Sequence, residues 1–423
     1  MIDPGTDVEV GAVVDLRIDR IAGGGEGVGR GPDGRAVFVG GTLPGEQVTA
    51  EVTEVRRRHA RARLVTVIDP SPARREPPCP HVAEGCGGCD WQHAAPATQS
   101  ELRLGLVVDA LSRIGRIDAP PVEPGVPLPP TATRTTLRAA VVGGRAGFRR
   151  RRSHDLVVPD TCLIAHPAAE ELLVDGRFGS ADEVTIRVGA RTGERMVVVG
   201  PSAAGVEVPP DVVVVGRDEV DRTGVVLHEE AGGRRWQVSP ESFFQASAEG
   251  ADALVEEVDG AVDLLVAHGV PTERLVDLCA GVGLFAGTVG RRVARVVAVE
   301  SSPSAVADAR SNLDLAVEVV TATMARWTPG PADVVVADPP RVGLESAGVA
   351  AVVATGAAGV VLVSCDPGSL GRDARLLADA GYRLLRSRVL DLFPQTSHVE
   401  VVSTFLSDPA GTGADADATG MRP

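Results

Sequence analysis

Four side chains near the C-terminus have the types that thiol chemistry needs: Cys365, Asp338, His398 and Glu400. Cys365 follows the apolar run VLVS, which predicts a buried strand, and the DPGS after it predicts a turn and a helix start. Asp338 ends another valine-rich run, and His398 and Glu400 stand two apart on a predicted strand, so they would share one face. A thiolate is a nucleophile and a carboxylate can act as a general base. A nearby helix N-terminus would favour the thiolate.

The elements that carry these side chains alternate between strand and helix patterns from about residue 240. Valine-rich runs without polar alternation predict the buried strands of a parallel sheet, so residues 236–408 are predicted to form a doubly wound α/β domain. In such a sheet the carboxyl ends of the strands meet in one crevice. We therefore expect Asp338, Cys365 and Glu400 to converge there. The runs are RLVDLCAG, RVVAVESS, AVEVVTAT, ADVVVADPP and GVVLVSCDP.

A glycine-containing turn in VDLCAGVGLFAG, residues 276–287, predicts a cofactor site. Asp277 ends the strand, Gly281 and Gly283 allow a close approach to the backbone, and Glu300 ends the next strand, where a ribose diol is bound in such folds. Spacing alone leaves a dinucleotide and S-adenosylmethionine both open. The form Asp-x-x-x-Gly-x-Gly resembles the first motif of class I methyltransferases rather than the dinucleotide fingerprint Gly-x-Gly-x-x-Gly, and this resemblance favours a methyltransferase over a dehydrogenase.

A cysteine nucleophile combined with S-adenosylmethionine implies a particular reaction. Carbon 5 of a pyrimidine is a poor nucleophile, but a thiolate that adds to carbon 6 turns carbon 5 into a carbanion that can accept a methyl group. A base must then remove the proton on carbon 5 so that the thiol can leave. Covalent catalysis of this kind divides one difficult step into easier ones.

Three further cysteines lie close together in CPHVAEGCGGCDWQ, at positions 79, 86 and 89, and a fourth follows at position 162. Six cysteines in 423 residues are too few for a disulfide framework, so the group indicates a metal site in a reducing compartment. Four thiolates could bind zinc or a [4Fe–4S] cluster. One short pair with a solitary fourth ligand favours the cluster.

Charge is unevenly distributed along the chain. The net charge is −15, yet residues 55–75 carry seven arginines against one acid, and residues 124–154 carry seven arginines and no acid. Two such runs indicate a nucleic-acid footprint, and two solvated basic faces are the alternative. No apolar run reaches the roughly 18 residues that span a bilayer, and the start MIDPGTDVEV has no apolar core of a signal peptide. We expect a cytoplasmic protein.

The rest of the chain divides by pattern into further segments. Short alternating runs with glycine-rich turns predict a five-stranded OB-like barrel over residues 6–66. Residues 71–235 are predicted to form a central mixed β domain that carries the cysteines, with a helix over 98–116 and a proline-rich loop over 117–130. The tail 409–423 is predicted to be disordered.

Taken together, the motifs identify a family that the chain resembles from about residue 6 to residue 406. It is similar to the RNA uracil-5-methyltransferases, and within them to the iron–sulfur branch that acts on 23S rRNA, with an N-terminal RNA-binding TRAM domain. The resemblance rests on GEGVGR, AVFVGGTLPGE, the cysteine cluster, TRTTLRAAVVGGRAGFRRRRSHDLVVPDTCLIAHP, SPESFFQAS, DLCAGVGLFAG, VAVESS, ADPPRVGL, SCDPGSLGRD and DLFPQTSHVE, in family order.

The resemblance implies a role for individual residues. Cys365 would be the nucleophile and Glu400 the base. The chain departs from the family pattern at Cys279, where an aromatic residue is usual, at Ala280, usually a cysteine, and at Leu284, an asparagine in some members. The implied cofactor positions are Gln245, Cys279, Glu300 and Asp338, and the implied [4Fe–4S] ligands are Cys79, Cys86, Cys89 and Cys162.

The expected activity is therefore methylation of carbon 5 of a uridine in RNA, with 23S rRNA as the expected substrate, S-adenosylmethionine as the methyl donor and a monomeric enzyme. Three alternatives stay open: a tRNA substrate, a cytosine-5 methyltransferase, and a catalytically idle RNA-binding protein. The second lacks an obvious role for Glu400, and the third is opposed by the presence of both Cys365 and Glu400.

Overall fold

The computed structural model describes residues 8–220 and 224–408, so the predicted disordered tail lies outside the described residues. The chain divides into two compact units. The first comprises residues up to Leu106 together with Val126–Asp252 and Asp391–Val399. The second comprises Val107–Gly125, Ala253–Leu390 and the residues from Glu400 onward. The domain boundaries expected from sequence stay a prediction.

The strands are numbered in chain order over the described residues. The first sixteen are β1 Val13–Ile21, β2 Gly27–Arg30, β3 Ala36–Val39, β4 Gln47–Val55, β5 His59–Asp69, β6 Val122–Pro124, β7 Thr136–Val142, β8 Arg145–Arg149, β9 Leu156–Val157, β10 Arg177–Phe178, β11 Glu183–Val188, β12 Arg195–Gly200, β13 Val206–Glu207, β14 Val212–Gly216, β15 Leu227–Ala231 and β16 Arg234–Val238. The others are β17 Arg274–Leu278, β18 Arg295–Glu300, β19 Glu318–Thr321, β20 Val334–Ala337, β21 Gly359–Ser364, β22 Tyr382–Leu390 and β23 Glu400–Ser407.

The α-helices are numbered in the same way, and two short 3-10 helices, Pro80–Val82 and Val289–Arg292, accompany them. The helix predicted over 98–116 begins slightly earlier, at Pro96, because proline suits the first turn, where its missing N–H is not needed. The helices are α1 Pro96–Arg113, α2 Pro167–Asp175, α3 Ala248–Ala267, α4 Leu284–Gly287, α5 Pro303–Asn312, α6 Glu345–Ala354 and α7 Pro367–Asp379.

The first unit begins with the predicted barrel, which is confirmed: β1–β2–β3–β5–β4 close on one another. Alternate residues of these strands point inward, with Leu16, Ile18 and Val37 among the fully buried ones. Two of the four residues of β2 are glycines, because a Cβ does not fit at those two positions. A Cβ on Gly27 would lie 2.1 Å from Thr42 Oγ1.

The rest of the first unit is built on a six-stranded sheet in the order β14–β12–β11–β7–β8–β9. Antiparallel pairs join its inner strands, while β12 and β14 run parallel, so the predicted mixed sheet is confirmed. Helix α2 packs on this sheet through Ala169, Leu172 and Leu173.

The second unit is the predicted doubly wound α/β domain. Its eight-stranded sheet has the order β19–β18–β17–β20–β21–β23–β22–β6, and the first five of these strands are parallel. The chain leaves the central strand β17 to one side for β18 and β19, then returns to the other side for β20 and β21. This reversal opens a crevice beyond the carboxyl end of β17, the place where such sheets bind ligands.

Candidate active site

The edge of the second unit's sheet brings Asp338, Cys365 and Glu400 together. Asp338 directly follows β20 and Cys365 directly follows β21, and these two strands run parallel and adjacent. Glu400 begins β23, which runs antiparallel to β21 with Ser364 opposite Val401. Continuing this register by one residue sets Cys365 opposite Glu400. The convergence expected from sequence is therefore present in the backbone.

The surroundings of Asp338, Cys365 and Glu400 favour the neutral, protonated form of each side chain. Burial, and then Asp338, raise the pKa of Glu400 well above its usual range. Burial also raises the pKa of Asp338. Burial, and after it the charges of Glu400 and Asp338, raise the pKa of the Cys365 thiol to about 11, while Arg341 acts in the opposite direction. The N-terminus of α7 was expected to favour the thiolate by lowering the pKa of Cys365. The pKa is raised instead, because burial and the two carboxylates outweigh the helix N-terminus.

His398 does not share a strand face with Glu400, so that expectation is wrong. The strand β23 begins only at Glu400, and His398 lies in the preceding loop, where its ring meets Phe393 edge-on at 5.8 Å between centroids. Proline, glutamine and serine before His398 make this segment a loop rather than an extended strand. Glu400 is 3% exposed and keeps its place at the sheet edge.

That loop is held within the first unit by Gln395, which adopts a left-handed backbone at φ +64° and is 2% exposed. Its backbone carbonyl accepts hydrogen bonds from the backbone N–H groups of Asp90 and Trp91, at 3.1 and 3.0 Å. Its side-chain oxygen accepts from Arg75 Nη2 at 2.9 Å and from Gln99 Nε2 at 3.0 Å. Its own N–H donates to Gln99 Oε1 at 2.9 Å. A strained conformation persists here because every polar group has a partner.

The cofactor loop lies at the carboxyl end of β17. Cys279, Gly281 and Gly283 all have positive φ, at +65°, +55° and +95°. Glu300 at the end of β18 accepts hydrogen bonds from the N–H groups of Gly281 at 2.9 Å and of Ser302 at 2.7 Å. These bonds hold the Glu300 carboxylate beside the loop, and its oxygens can still accept a hydrogen bond from a ribose hydroxyl.

The loop is open at its turn, whereas the carboxyl beneath it is buried. A Cβ on Gly281 would meet nothing within 4 Å, so there is open space above the turn. Asp277, which has no predicted role, is fully buried, and burial raises its pKa to about 7. Its Oδ2 accepts from Ala286 N at 2.7 Å, whereas Oδ1 has no hydrogen-bond partner in the described chain. Because this atom is buried and the pKa is raised, the protonated, neutral carboxyl is favoured here, and the open space above Gly281 is the feature that suits a bound cofactor.

The predicted cofactor residues fall into both units. Cys279, Glu300 and Asp338 belong to the second unit, and the charges of Glu300 and Asp338 both act on the Cys279 thiol, whose pKa burial raises to about 12. Asp338 thus faces both the cofactor loop and the Cys365–Glu400 pair. Gln245 is 8% exposed and belongs to the first unit. Its role stays a prediction.

The four clustered cysteines lie in the first unit as free, partly buried thiols. The charges of Cys162, Cys86 and Cys79 all act on Cys89, whose pKa burial raises to about 12. The backbone beside Cys86 pairs with the second arginine run, where Gly87 N donates to Arg149 O at 3.0 Å. Over residues 8–220 and 224–408, no group of three or more His, Cys, Asp or Glu side chains is arranged to hold a metal ion. The arrangement therefore supports neither a zinc site nor the expected [4Fe–4S] ligand set, which stays a prediction.

Part of each arginine run is occupied by ion pairs inside the first unit. Two exposed arginines, Arg57 and Arg58, stand in the turn between β4 and β5, and their side chains have no hydrogen-bond or ion-pair partner within the described ranges. The arginines that do pair are Arg56 with Glu54, Arg61 and Arg152 with Glu26, Arg63 with Glu51, Arg74 with Glu46, and Arg151 with Asp90.

No helix in the described part of the chain is both long and apolar enough to span a bilayer.

Comparison with known proteins places this chain among RNA methyltransferases. Residues 7–65 match the TRAM domain. An uncharacterized RNA methyltransferase of Streptomyces avermitilis is 36% identical, over 96% of this chain and 100% of that protein. The 23S rRNA (uracil(1939)-C(5))-methyltransferase RlmD of Alkalilimnicola ehrlichii is 32% identical, over 88% of this chain and 92% of that protein.

A solved structure agrees over the same span. The Pyrococcus abyssi tRNA (uracil-54, C5)-methyltransferase in complex with S-adenosyl-L-homocysteine superposes with a TM-score of 0.71 at 23% identity, over 93% of this chain and 99% of that one. The fold is therefore a Rossmann-like methyltransferase fold preceded by a TRAM barrel. The chain belongs to the TRAM-containing RNA uracil-C5-methyltransferase family.

Proposed function

We propose that this protein transfers a methyl group from S-adenosylmethionine to carbon 5 of a uridine in RNA, with 23S rRNA as the substrate. The observation that carries the proposal is the register of β21 and β23, which sets a thiol opposite a buried carboxylate. The adjacent Asp338 faces both this pair and the cofactor loop. The likeness to a 23S rRNA uracil-C5-methyltransferase over 88% of the chain supports the choice of base and RNA.

The proposed reaction uses the two facing groups in sequence. Cys365, once deprotonated, attacks carbon 6 of the uracil, and the electron pair released to carbon 5 takes the methyl group. Glu400 as carboxylate then removes the proton on carbon 5, and the carbon–sulfur bond breaks to restore the double bond and the thiolate. The raised pKa of Glu400 makes it a stronger base than an exposed glutamate.

The chain's own residues would hold the methyl donor at the loop after β17. Glu300 is oriented to accept from ribose hydroxyls, above the open space at Gly281. Asp338 stands between this loop and the thiol. When bound, S-adenosylmethionine supplies an electrophilic methyl group.

Binding of the RNA is assigned to the first unit. Arg57 and Arg58 project from the barrel without acidic partners, which suits contact with phosphates. The hairpin with Arg149 is backed by the cysteine segment. A target base inside folded RNA would have to be unstacked before the thiol could reach it.

A [4Fe–4S] cluster on Cys79, Cys86, Cys89 and Cys162 is the proposed second cofactor. All four thiols lie within electrostatic range of one another, and in a cubane each thiolate binds a different iron, so the sulfurs are farther apart than around a single ion. Anaerobic purification followed by iron and acid-labile sulfide analysis tests the assignment. Stoichiometric zinc without sulfide would overturn it.

The decisive experiment for the reaction uses RNA that contains 5-fluorouridine. Fluorine at carbon 5 cannot be removed as a proton, so the covalent adduct should accumulate with S-adenosylmethionine and be absent from Cys365→Ala. S-adenosylhomocysteine in place of the donor is the control. Failure to trap an adduct on any cellular RNA would favour an RNA-binding protein without catalysis. Mapping 5-methyluridine in 23S rRNA and tRNA of a deletion strain decides between the two substrates.

A further inference from the structure

The segments ADPPRVGL and SCDPGSLGRD contain three residues that the proposed reaction does not use: Arg341, Arg372 and Asp373. All three lie in the second unit. Arg341 follows the turn after β20, and the other two lie on α7, the helix that begins two residues after Cys365.

Two side chains of helix α7 form hydrogen bonds with the backbone of the loop that carries Arg341. Asp373 is fully buried and accepts hydrogen bonds from Leu344 N at 2.7 Å and from Glu345 N at 3.1 Å. These N–H groups belong to the start of α6, which has no side-chain cap of its own, so Asp373 takes the place of the missing cap. On the same loop, Arg372 donates to the carbonyl of Val342.

A glycine at position 343 allows the loop to pack this closely against Asp373. Gly343 has φ +78°, and a Cβ there would lie 2.1 Å from Asp373 Oδ2. Its N–H closes a turn onto Pro340 O at 2.7 Å. These bonds fix the backbone that carries Arg341 to the second turn of α7, and α7 begins two residues after Cys365.

Arg341 is exposed, and its guanidinium has no hydrogen bond or ion pair within residues 8–220 and 224–408. Three charged groups act on the Cys365 sulfur: Glu400 from β23, Asp338 from the end of β20, and Arg341 from the loop after it. The first two disfavour an anionic sulfur. Arg341 is the one cation among them.

We propose that Arg341 stabilises the anionic, attacking form of the Cys365 sulfur, and that Asp373 is the positioning residue that holds the arginine in place. The proton leaves to solvent, and no other reactant is needed. The inference rests on the proposed role of Cys365 as nucleophile, but its test does not require methyl transfer.

The test measures the alkylation rate of Cys365 by iodoacetamide against pH, read on the Cys365 peptide by mass spectrometry in the full-length protein without RNA. In Arg341→Gln the pH midpoint should rise by about half a unit, which makes alkylation about threefold slower at a given pH below the midpoint, since the exposed charge is partly screened. Arg341→Lys should keep most of the wild-type rate. High salt should bring wild type towards Arg341→Gln.

Two further variants separate position from charge. Arg375 also lies on α7, and it already forms an ion pair with Asp379. Arg375→Gln should therefore leave the pH midpoint of Cys365 alkylation unchanged. Asp373→Asn should move the midpoint in the same direction as Arg341→Gln, and the double variant should move it no further. If Asp373→Asn lowers only the melting temperature, Asp373 is merely structural and its positioning role is lost.

An unchanged midpoint in Arg341→Gln would overturn the proposal, and weaker RNA binding by that variant would then assign Arg341 to a phosphate contact. The proposed function can fail separately. Methyl transfer that persists in Cys365→Ala would remove the nucleophile's role while leaving a shifted thiol titration intact.

Discussion

Replacing Gln395 tests whether the strained loop before Glu400 is held by side-chain bonds. In Gln395→Ala, three hydrogen bonds are lost: those from Arg75 and Gln99, and a longer one of 3.3 Å to Pro130 O. The bond from the charged Arg75 is worth about 1.5–3 kcal/mol and each neutral one about 0.5–1.5 kcal/mol. Gln99 Nε2 keeps two carbonyl acceptors, so it is not left unsatisfied. The expected loss of unfolding free energy is about 3 kcal/mol.

A matched variant isolates the backbone strain. Gln395→Gly loses the same three bonds but has no Cβ at φ +64°. Relief of left-handed strain is worth about 1–2 kcal/mol, and the extra freedom of glycine in the unfolded chain removes about 0.5–1 kcal/mol of that. The glycine variant should therefore be more stable than the alanine variant by about 0.5–1 kcal/mol.

The assay is urea unfolding followed by tryptophan fluorescence. Trp91 is fully buried and donates its backbone N–H to Gln395, so it reports on this loop. The alanine variant should also melt about 6–12 °C lower, at about 2–4 °C per kcal/mol for a unit of this size. An alanine variant as stable as the glycine variant would refute the strain argument. A loss under about 1 kcal/mol would refute the hydrogen-bond argument.

Three other outcomes follow from the site. Glu400→Gln should still form the carbon–sulfur bond but fail to remove the carbon 5 proton, so covalent adducts with unmodified RNA should accumulate on denaturing gels; rapid release would assign the base elsewhere. The double variant Arg57→Gln, Arg58→Gln should weaken the binding of all RNAs alike, and the slope of log K for RNA binding against log salt concentration should become shallower by about 1 to 2. An unchanged slope would exclude phosphate contact by these arginines. Because the pKa of Asp277 is raised from 3.8 to about 7, its contribution to stability is lost as pH rises through that range. Asp277→Asn should thus flatten the pH dependence of the melting temperature between about pH 4 and pH 7, and an unchanged pH slope would contradict the burial of that carboxylate.

The catalytic sheet was predictable from sequence because its strands are buried on both faces. Uninterrupted valine runs such as the one before Asp338 have no solvent-facing positions, and a parallel sheet brings their carboxyl ends together. The turn at Gly281 and the acid at Glu300 could be recognised for the same reason, since chemistry and backbone geometry demand those residue types there.

Features that depend on tertiary contacts could not be predicted in this way. The strand β2 carries two glycines because Thr42 and the neighbouring strand β1 leave no room for a Cβ at those positions, whereas a propensity argument treats such glycines as a turn. The strand β6 lies in a proline-rich stretch predicted as a loop, since an edge strand tolerates proline. The left-handed backbone of Gln395 and the cap that Asp373 supplies to α6 both depend on hydrogen bonds between residues far apart in sequence. No local sequence pattern therefore predicts them.

Strand β6 also limits how this protein can be divided. Val122–Pro124 pair in parallel with Ser387–Val389 at the margin of the methyltransferase sheet, although the central sheet of the first unit is encoded between them. A fragment that starts at residue 236 would lack this strand and expose the hydrogen-bonding groups of β22, which invites intermolecular pairing. During synthesis, the ribosome releases β6 long before its neighbour exists. The catalytic half is therefore not an independent genetic module, and a truncated gene should yield aggregated protein rather than a smaller enzyme.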